Sequence, residues 1–365
     1  MTLHSITGYE TLTTLNRGDI DGGYGAVFAP PTGPGFIPFS SETADGIPKH
    51  RQITQEFRLE SPSGAPLAWQ AGLFYFDEDY TIESFSYDSL FSKAQNGYLR
   101  VRQKNDAYAL FGNVNWAATS ALRVRAGLRW THDKKHFDVQ DYNSAVFGTL
   151  PTLAALRAQE PDGTLAASTS DSKMSWDLSG TYTLSPGLNL YARAANGFRA
   201  SSIQGASAFN AKSVAKPETN TSVEAGVKAN LMDGKARLSF SAYQFTVKDQ
   251  QLTAVGGAGN ANILLNAKKA TGQGFELDLQ ALLAENLMAT LGVGYNDTEI
   301  KDPALAVSVC GNAQNITTPN CTVTDPVNAN GQALINGNPL PQAPKTQVNF
   351  TLRYGIPTAD GEWYV

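Results

Sequence analysis

The feature that most constrains this chain is a strict alternation of apolar and basic residues between Leu122 and Trp130. Apolar side chains occupy every second position of this run, and three arginines and a glycine occupy the positions between them. Side chains on one face of a β-strand recur with a period of two, so the run predicts a strand with one apolar and one basic face. The run from Tyr108 to Trp116 has the same period, and the short link Ala117 to Ala121 predicts a hairpin.

The same alternation recurs along most of the chain, for example in Trp176–Leu184, Phe275–Ala281 and Val348–Tyr354. These runs exceed the roughly five or six residues of an average strand. Turns of a few residues alternate with longer loops, among which we expect 18–49, 140–172 and 253–265. Short turns at one end and long loops at the other are typical of outer-membrane barrels. The sequence therefore predicts an all-β fold, an antiparallel up-and-down transmembrane β-barrel.

The composition agrees with a sheet that has one apolar face and one polar face lining a water-filled interior. The 365 residues would suffice for two soluble domains or one large sheet, but only 42% are hydrophobic, while glycine and aromatic residues are frequent. No segment has the roughly 18 unbroken apolar residues of a membrane helix. A net charge of -5 without a basic tract argues against nucleic-acid binding.

The N-terminal residues, MTLHSITGYE, lack the basic and apolar regions of a signal peptide. An exported barrel requires such a signal. We therefore expect this chain to be an internal piece of a longer protein.

Four stretches resemble the barrel portion of TonB-dependent outer-membrane receptors, the gated transporters of Gram-negative bacteria. They are QEFRLESP at 55–62, LYARAANGFRASS at 190–202, KPETNTSVEAGVKANL at 216–231 and LPQAPKTQVNFTLRY at 340–354. The combination of YxRxxxGFR with KPExxxxxEAGxK is the most specific of these signals, and the resemblance covers essentially the whole chain. It implies a barrel of about 22 strands, of which residues 1–365 would supply about 12 as one partial barrel domain without the plug.

The resemblance implies that the intact parent imports a bulky, scarce solute, with a ferric siderophore as the leading candidate. The implied partners are the TonB energy-coupling complex, acting through a plug and TonB box that we do not find in this chain, and the barrel-assembly machinery. Outer-membrane lipid and lipopolysaccharide would surround the barrel in the bacterial outer membrane. A passive porin or channel and a surface adhesin or lectin-like β protein are the alternatives. No cofactor is expected.

Arginines on the lumen-facing parity of the strands are candidate contacts for an anionic cargo. Arg129 and Arg199 lie nearer the outer end and are candidate cargo contacts, whereas Arg123, Arg125 and Arg193 are expected to form the lumen wall. The alternative is that these arginines pair with lumen carboxylates or with a plug. Aromatic loop residues could form a cargo platform or pack the loops; they are Phe28, Phe36, Phe39, Phe85, Tyr87 and Phe91.

Cys310 and Cys321 lie close together in a loop rich in Asn, Thr and Pro, which predicts a local disulfide rather than a metal pair. His132 and His136 share a strand face, but positions i and i+4 of a strand lie about 13 Å apart, too far to grip one ion. The chain contains no GxSxG turn and no convincing Ser, His and Asp set. We therefore expect no metal site and no enzymatic activity.

Overall fold

The structure is a computed structural model that describes residues 1–19, 42–62, 64–89, 92–142, 163–204, 214–256, 261–309 and 324–365. These residues are almost entirely β-strand, with a single 3-10 turn at Met232–Gly234. Within them, no helix has the length and apolar character needed to cross a membrane.

The strands are numbered in chain order. They are β1 (Thr2–Thr11), β2 (Thr14–Asp19), β3 (Glu42–Glu60), β4 (Leu67–Ser89), β5 (Ser92–Ala117), β6 (Leu122–Asp141), β7 (Gly163–Ser185), β8 (Leu188–Arg199), β9 (Ser202–Ile203), β10 (Val214–Ala215), β11 (Glu218–Leu231), β12 (Ala236–Gly256), β13 (Ala261–Ala284), β14 (Leu287–Ile300), β15 (Ala306–Ser308), β16 (Gln332–Leu334), β17 (Thr346–Thr358) and β18 (Gly361–Tyr364).

Fourteen of these strands form one antiparallel sheet whose spatial order follows the order of the chain. The strands β1 and β2 both pair with β3 and share one edge of the sheet, while β18 lies at the other edge, so the described sheet does not close. The pairs β9–β10 and β15–β16 form separate small hairpins. This is the predicted all-β, up-and-down antiparallel architecture of a partial barrel.

The cross-strand register keeps the apolar parity of neighbouring strands on one face. Leu73, Leu110, Trp130 and Met174 are successive partners across β4 to β7, and each is between 36% and 56% exposed. Directly opposed residues of an antiparallel pair share a face. The result is a continuous belt of exposed apolar side chains, which is the surface that a transmembrane barrel turns towards lipid.

Aromatic residues mark both borders of this apolar belt. At the loop end, the rings of Tyr108 and Trp130 lie 5.7 Å apart, and the ring of His132 lies 4.9 Å from that of Tyr108. At the turn end, Trp116 is 51% exposed. Tyr108 and Trp116 are about 27 Å apart along β5 at roughly 3.4 Å per residue, close to the roughly 25 Å apolar band of outer-membrane barrels.

Several strands extend beyond the loop boundaries that the sequence predicted. β6 continues to Asp141 and β7 begins at Gly163, so residues 140–141 and 163–172 of the predicted loop 140–172 are strand. β12 and β13 likewise occupy much of 253–265, and β3 begins inside 18–49. The predicted boundaries were wrong because backbone pairing continues beyond the apolar belt into polar segments, in which no sustained apolar alternation marks the strand.

Candidate functional site: the lumen face

The parity opposite to the apolar belt forms the polar side of the sheet, which we call the lumen face. β6 to β8 give this face a basic sector that contains Arg123, Arg125, Arg129 and Arg193. Three of these residues, Arg125, Arg129 and Arg193, line one groove together with Asp177 of β7. Arg125 Nε lies 3.9 Å from Asp177 Oδ2, the only acidic side chain among the described residues that line the groove. The groove lining therefore carries three guanidinium groups and one carboxylate, which only Arg125 approaches, while Arg193 lies opposite Glu224 of β11 in the cross-strand register.

Arg129 is held in a fixed orientation by two aromatic rings and a hydroxyl. Its guanidinium carbon lies 5.3 Å from the ring centroid of Phe74 and 5.6 Å from that of Phe111. Its Nε donates a hydrogen bond to Thr131 Oγ1 at 3.1 Å. Among the described residues, no carboxylate lies within 4 Å of its nitrogens. The guanidinium is thus oriented by neutral groups and keeps its Nη atoms for another acceptor.

A glycine on the adjacent strand allows Phe111 to take this position. Gly72 is the direct cross-strand partner of Phe111, and a Cβ added to Gly72 would lie 2.5 Å from Phe111 Cζ. A larger residue at this position would therefore push the ring off the wall. We call Gly72, Phe74, Phe111, Arg129 and Thr131 the Arg129 shelf.

Arg199 lies at the loop end of β8 as an exposed cation without a partner in the described part of the chain. Its cross-strand partner is Glu218, from which an ion pair would be expected. Glu218 Oε2 instead accepts hydrogen bonds from Gln250 Nε2 at 3.1 Å and from the Gln251 backbone N–H at 2.7 Å. Because these bonds engage the Glu218 carboxylate, the Arg199 guanidinium stays available for an external anion at the loop end of the sheet, which we call the mouth.

Directly after Arg199, the β9–β10 hairpin folds across the lumen face. Lys135 Nζ donates to the Ser201 carbonyl at 3.1 Å, and the Ser201 N–H donates to Asp171 Oδ2 at 2.9 Å. Ile203 of β9 packs against a buried apolar cluster of β5 and β6 formed by Val101, Phe137 and Val139. The hairpin is therefore attached to the wall directly above the basic sector.

The other side of this hairpin is attached to β12. Gln251 Nε2 donates to the carbonyls of Ala200 and Lys216 at 2.9 Å each, and the Gln251 side chain is buried. The segment that follows β8 consequently spans from the β6–β7 wall to the β12 wall.

The predicted loop aromatics can be located only in part. Phe85 is 1% exposed and stacks on Tyr98 with ring centroids 4.9 Å apart, while Tyr98 Oη donates to Glu83 Oε1 at 2.7 Å. Burial and this bond to Glu83 raise the pKa of the Tyr98 hydroxyl. A cargo could reach Phe85 only by displacing a packed neighbour. The predictions on Phe28, Phe36, Phe39, Phe91, the Tyr87 side chain, Cys310 and Cys321 lie outside the described residues.

The two histidines of β6 each pair with a serine of β7. His132 Nδ1 lies 2.7 Å from Ser172 Oγ, and His136 Nδ1 lies 2.8 Å from Ser168 Oγ. The described residues contain no group of three or more His, Cys, Asp or Glu side chains that could hold a metal ion.

Sequence reasoning missed the shelf partners of Arg129 and the attachment of the β9–β10 hairpin. The period of two placed Phe111 and Arg129 on the polar parity of their strands, but it assigned no face to Phe74. It did not provide the register that brings them side by side. A glycine opposite an aromatic residue was the available signal for the Gly72–Phe111 pair.

Comparison with known proteins identifies the family. The sequence model of the TonB dependent receptor-like β-barrel matches residues 4–365. Three similar solved structures are the ferric yersiniabactin uptake receptor FyuA from Yersinia pestis, the copper transporter OprC and the ferric-catecholate import receptor Fiu from E. coli K12. Their identities to this chain are 17%, 16% and 12%, with TM-scores of 0.61, 0.58 and 0.55.

These matches cover 89%, 96% and 96% of this chain and 45%, 46% and 49% of the respective receptors. The chain thus spans less than half the length of each, and at such identities the likeness shows the fold alone. Barrels of the matched family lie in the outer membrane of Gram-negative bacteria and belong to receptors and transporters, not enzymes. The sheet has an apolar outer belt and a polar lumen face, and the family model matches nearly the whole chain. The chain therefore belongs to the TonB-dependent receptor β-barrel family.

Proposed function

We propose that the protein to which this barrel belongs imports a bulky, anionic, metal-bearing solute across the outer membrane with energy from the TonB complex. A ferric siderophore is the leading candidate for that solute. The observation that carries the proposal is the groove lined by Arg125, Arg129 and Arg193, in which Asp177 is the single acidic side chain among the described lining residues. A wall with excess positive charge raises the local concentration of anions and accelerates their entry.

The names of the similar structures support a chelated metal as cargo. FyuA takes up ferric yersiniabactin, Fiu imports ferric catecholate and OprC transports copper. In this chain, the residues that would meet such a cargo first are Arg199 at the mouth and then Arg129 at the level of the loop-end aromatic border.

The proposal assigns separate roles to this barrel and to its partners. The lumen face attracts and orients the cargo, while a plug pulled by the TonB complex would open the path. Outer-membrane lipid and lipopolysaccharide would cover the apolar belt, and the barrel-assembly machinery would insert the sheet, because an exposed apolar belt cannot stay in water. Residues 1–365 would act as one partial barrel domain in this assembly.

The proposal is tested by uptake of radioactive iron chelates into cells that express the intact receptor. We expect uptake to require both the receptor and a functional TonB protein. Joint replacement of Arg125, Arg129 and Arg193 by Gln should reduce uptake of an anionic chelate, while the amount of receptor in the outer membrane stays unchanged. Uptake that persists without TonB would contradict the proposal and favour a passive channel.

A further inference from the structure

The Arg129 shelf has the geometry of a preformed receptor for a flat anion. We infer that it binds the planar, delocalised anionic part of a solute, such as an aromatic carboxylate. The inference rests on the proposed function only in treating the lumen as the route of the cargo. Binding at the shelf can be measured without transport.

The guanidinium of Arg129 is oriented before any ligand arrives. The rings of Phe74 and Phe111 lie near the guanidinium, and the bond from Nε to Thr131 Oγ1 at 3.1 Å fixes its rotation. An oriented guanidinium loses little side-chain entropy when it forms two parallel hydrogen bonds to a carboxylate. The shelf therefore offers a bidentate donor at a low entropic cost.

Other arginines of the sheet form direct ion pairs with carboxylates, as expected of a structural role. Arg102 binds Asp79 through Nε at 3.0 Å and Nη2 at 2.7 Å, and Arg58 Nε lies 3.0 Å from Glu60 Oε1. Arg129 differs because only neutral groups hold it in the described structure. The Glu56 carboxylate acts on it through space without a direct contact, so an external anion can supply the direct hydrogen-bonded partner.

The aromatic neighbours favour a planar ligand over a puckered one. A guanidinium is weakly hydrated on its faces and stacks on flat π-systems. Gly72 keeps the Phe111 ring against the wall, so a flat group can approach without displacing that ring. Arg125 and Arg193 line the same groove and could bind further carboxylates of the same molecule.

Two tricarboxylates of equal charge and different shape test this preference. Benzene-1,3,5-tricarboxylate is flat, whereas cis-cyclohexane-1,3,5-tricarboxylate is puckered, and both are too polar to partition into detergent micelles. Calorimetric titration of the full chain in a zwitterionic detergent should give about fivefold tighter binding of the flat probe, the effect of one stacking contact. Equal affinities for the two probes, or binding of neither, would overturn the inference.

Three variants test whether Arg129 and Thr131 cause the preference for the flat probe. Arg129→Lys keeps the charge but removes the planar fork, so affinity for the flat probe should fall about tenfold and the preference should vanish. Thr131→Val keeps the arginine but removes the acceptor that fixes it, and it should also reduce the preference. Arg123→Lys changes an arginine about 20 Å away on the same face of β6 and should leave both affinities unchanged within about twofold.

The outcomes separate this inference from the proposed function. Equal losses in the Arg123→Lys and Arg129→Lys variants would show a diffuse field rather than a shelf and would overturn the inference. If the chain prefers the flat probe as expected but uptake does not require TonB, the proposed function is contradicted while the inference about the Arg129 shelf holds.

Discussion

The carboxylate of Asp79 is held by one guanidinium on the wall that β4 and β5 form beyond the loop-end aromatic border. Arg102 donates from Nε at 3.0 Å and from Nη2 at 2.7 Å, and Lys49 Nζ lies 3.5 Å away. The Asp79 side chain is only 11% exposed. The hydrogen bonds from Arg102 are the largest cause that lowers the pKa of Asp79, to about 2.

This lowered pKa makes the pair a pH-dependent source of stability. The unfolded chain has an aspartate pKa of about 3.9, so the folded state prefers the charged carboxylate. The stabilisation is fully present above about pH 4 and is lost as the pH falls through about 2. The shift between the two pKa values corresponds to about 2–3 kcal/mol in the free energy of unfolding.

Replacing Arg102 by Met should therefore destabilise the wall by about 2–3 kcal/mol at neutral pH. The measurement is urea unfolding of the chain in detergent micelles, followed by tryptophan fluorescence at about pH 6, 4 and 2. The difference between the wild type and Arg102→Met should shrink to a small fraction of its neutral-pH value at about pH 2, because about half of the folded wild-type molecules then carry a protonated Asp79. A difference that stays constant over this range would refute the assignment to Asp79.

The neighbouring pair Arg51–Asp77 provides a matched control on the same face. These two side chains are 42% and 23% exposed, so solvent screens their interaction more strongly. Arg51→Met should cost less than about 1 kcal/mol at neutral pH. A cost equal to that of Arg102→Met would show that burial of the carboxylate does not set the magnitude.

Replacing Lys135 by Met removes the donor to the Ser201 carbonyl, and we expect the Ser201 amide to exchange with deuterium about tenfold faster in hydrogen-exchange measurements. Unchanged exchange would mean that the β9–β10 hairpin is held by its other contacts. Gly226→Ala would place a Cβ against the Phe240 backbone carbonyl oxygen and 2.6 Å from Tyr191 Cε1 and should cost about 1–3 kcal/mol in urea unfolding. Gly294→Ala, where a Cβ meets open space, should cost less, and equal losses would exclude both contacts of the added Cβ as the cause.

The sequence by itself determined the class of fold and the two faces of the sheet. Alternation in runs such as 122–130 and 348–354 is a local property of a strand, and a lipid-facing surface forces it to persist along the whole span. The same pattern was sufficient to place Arg123, Arg125, Arg129 and Arg193 on one face. The motifs around 190–202 and 216–231 were sufficient to suggest the family that the match over 4–365 shows.

Only the tertiary structure decided where strands end and what each lumen arginine touches. Outside the membrane no apolar periodicity marks a strand, so the extensions of β6, β7, β12 and β13 depend on cross-strand backbone bonds that the sequence does not display. Register then separates arginines that look alike in sequence. It places Arg125 near Asp177, sets Glu218 opposite Arg199 while Gln250 and Gln251 bind the Glu218 carboxylate, and brings Arg129 beside Phe74 and Phe111. Such contacts join different strands, and a periodicity within one strand carries no information about them.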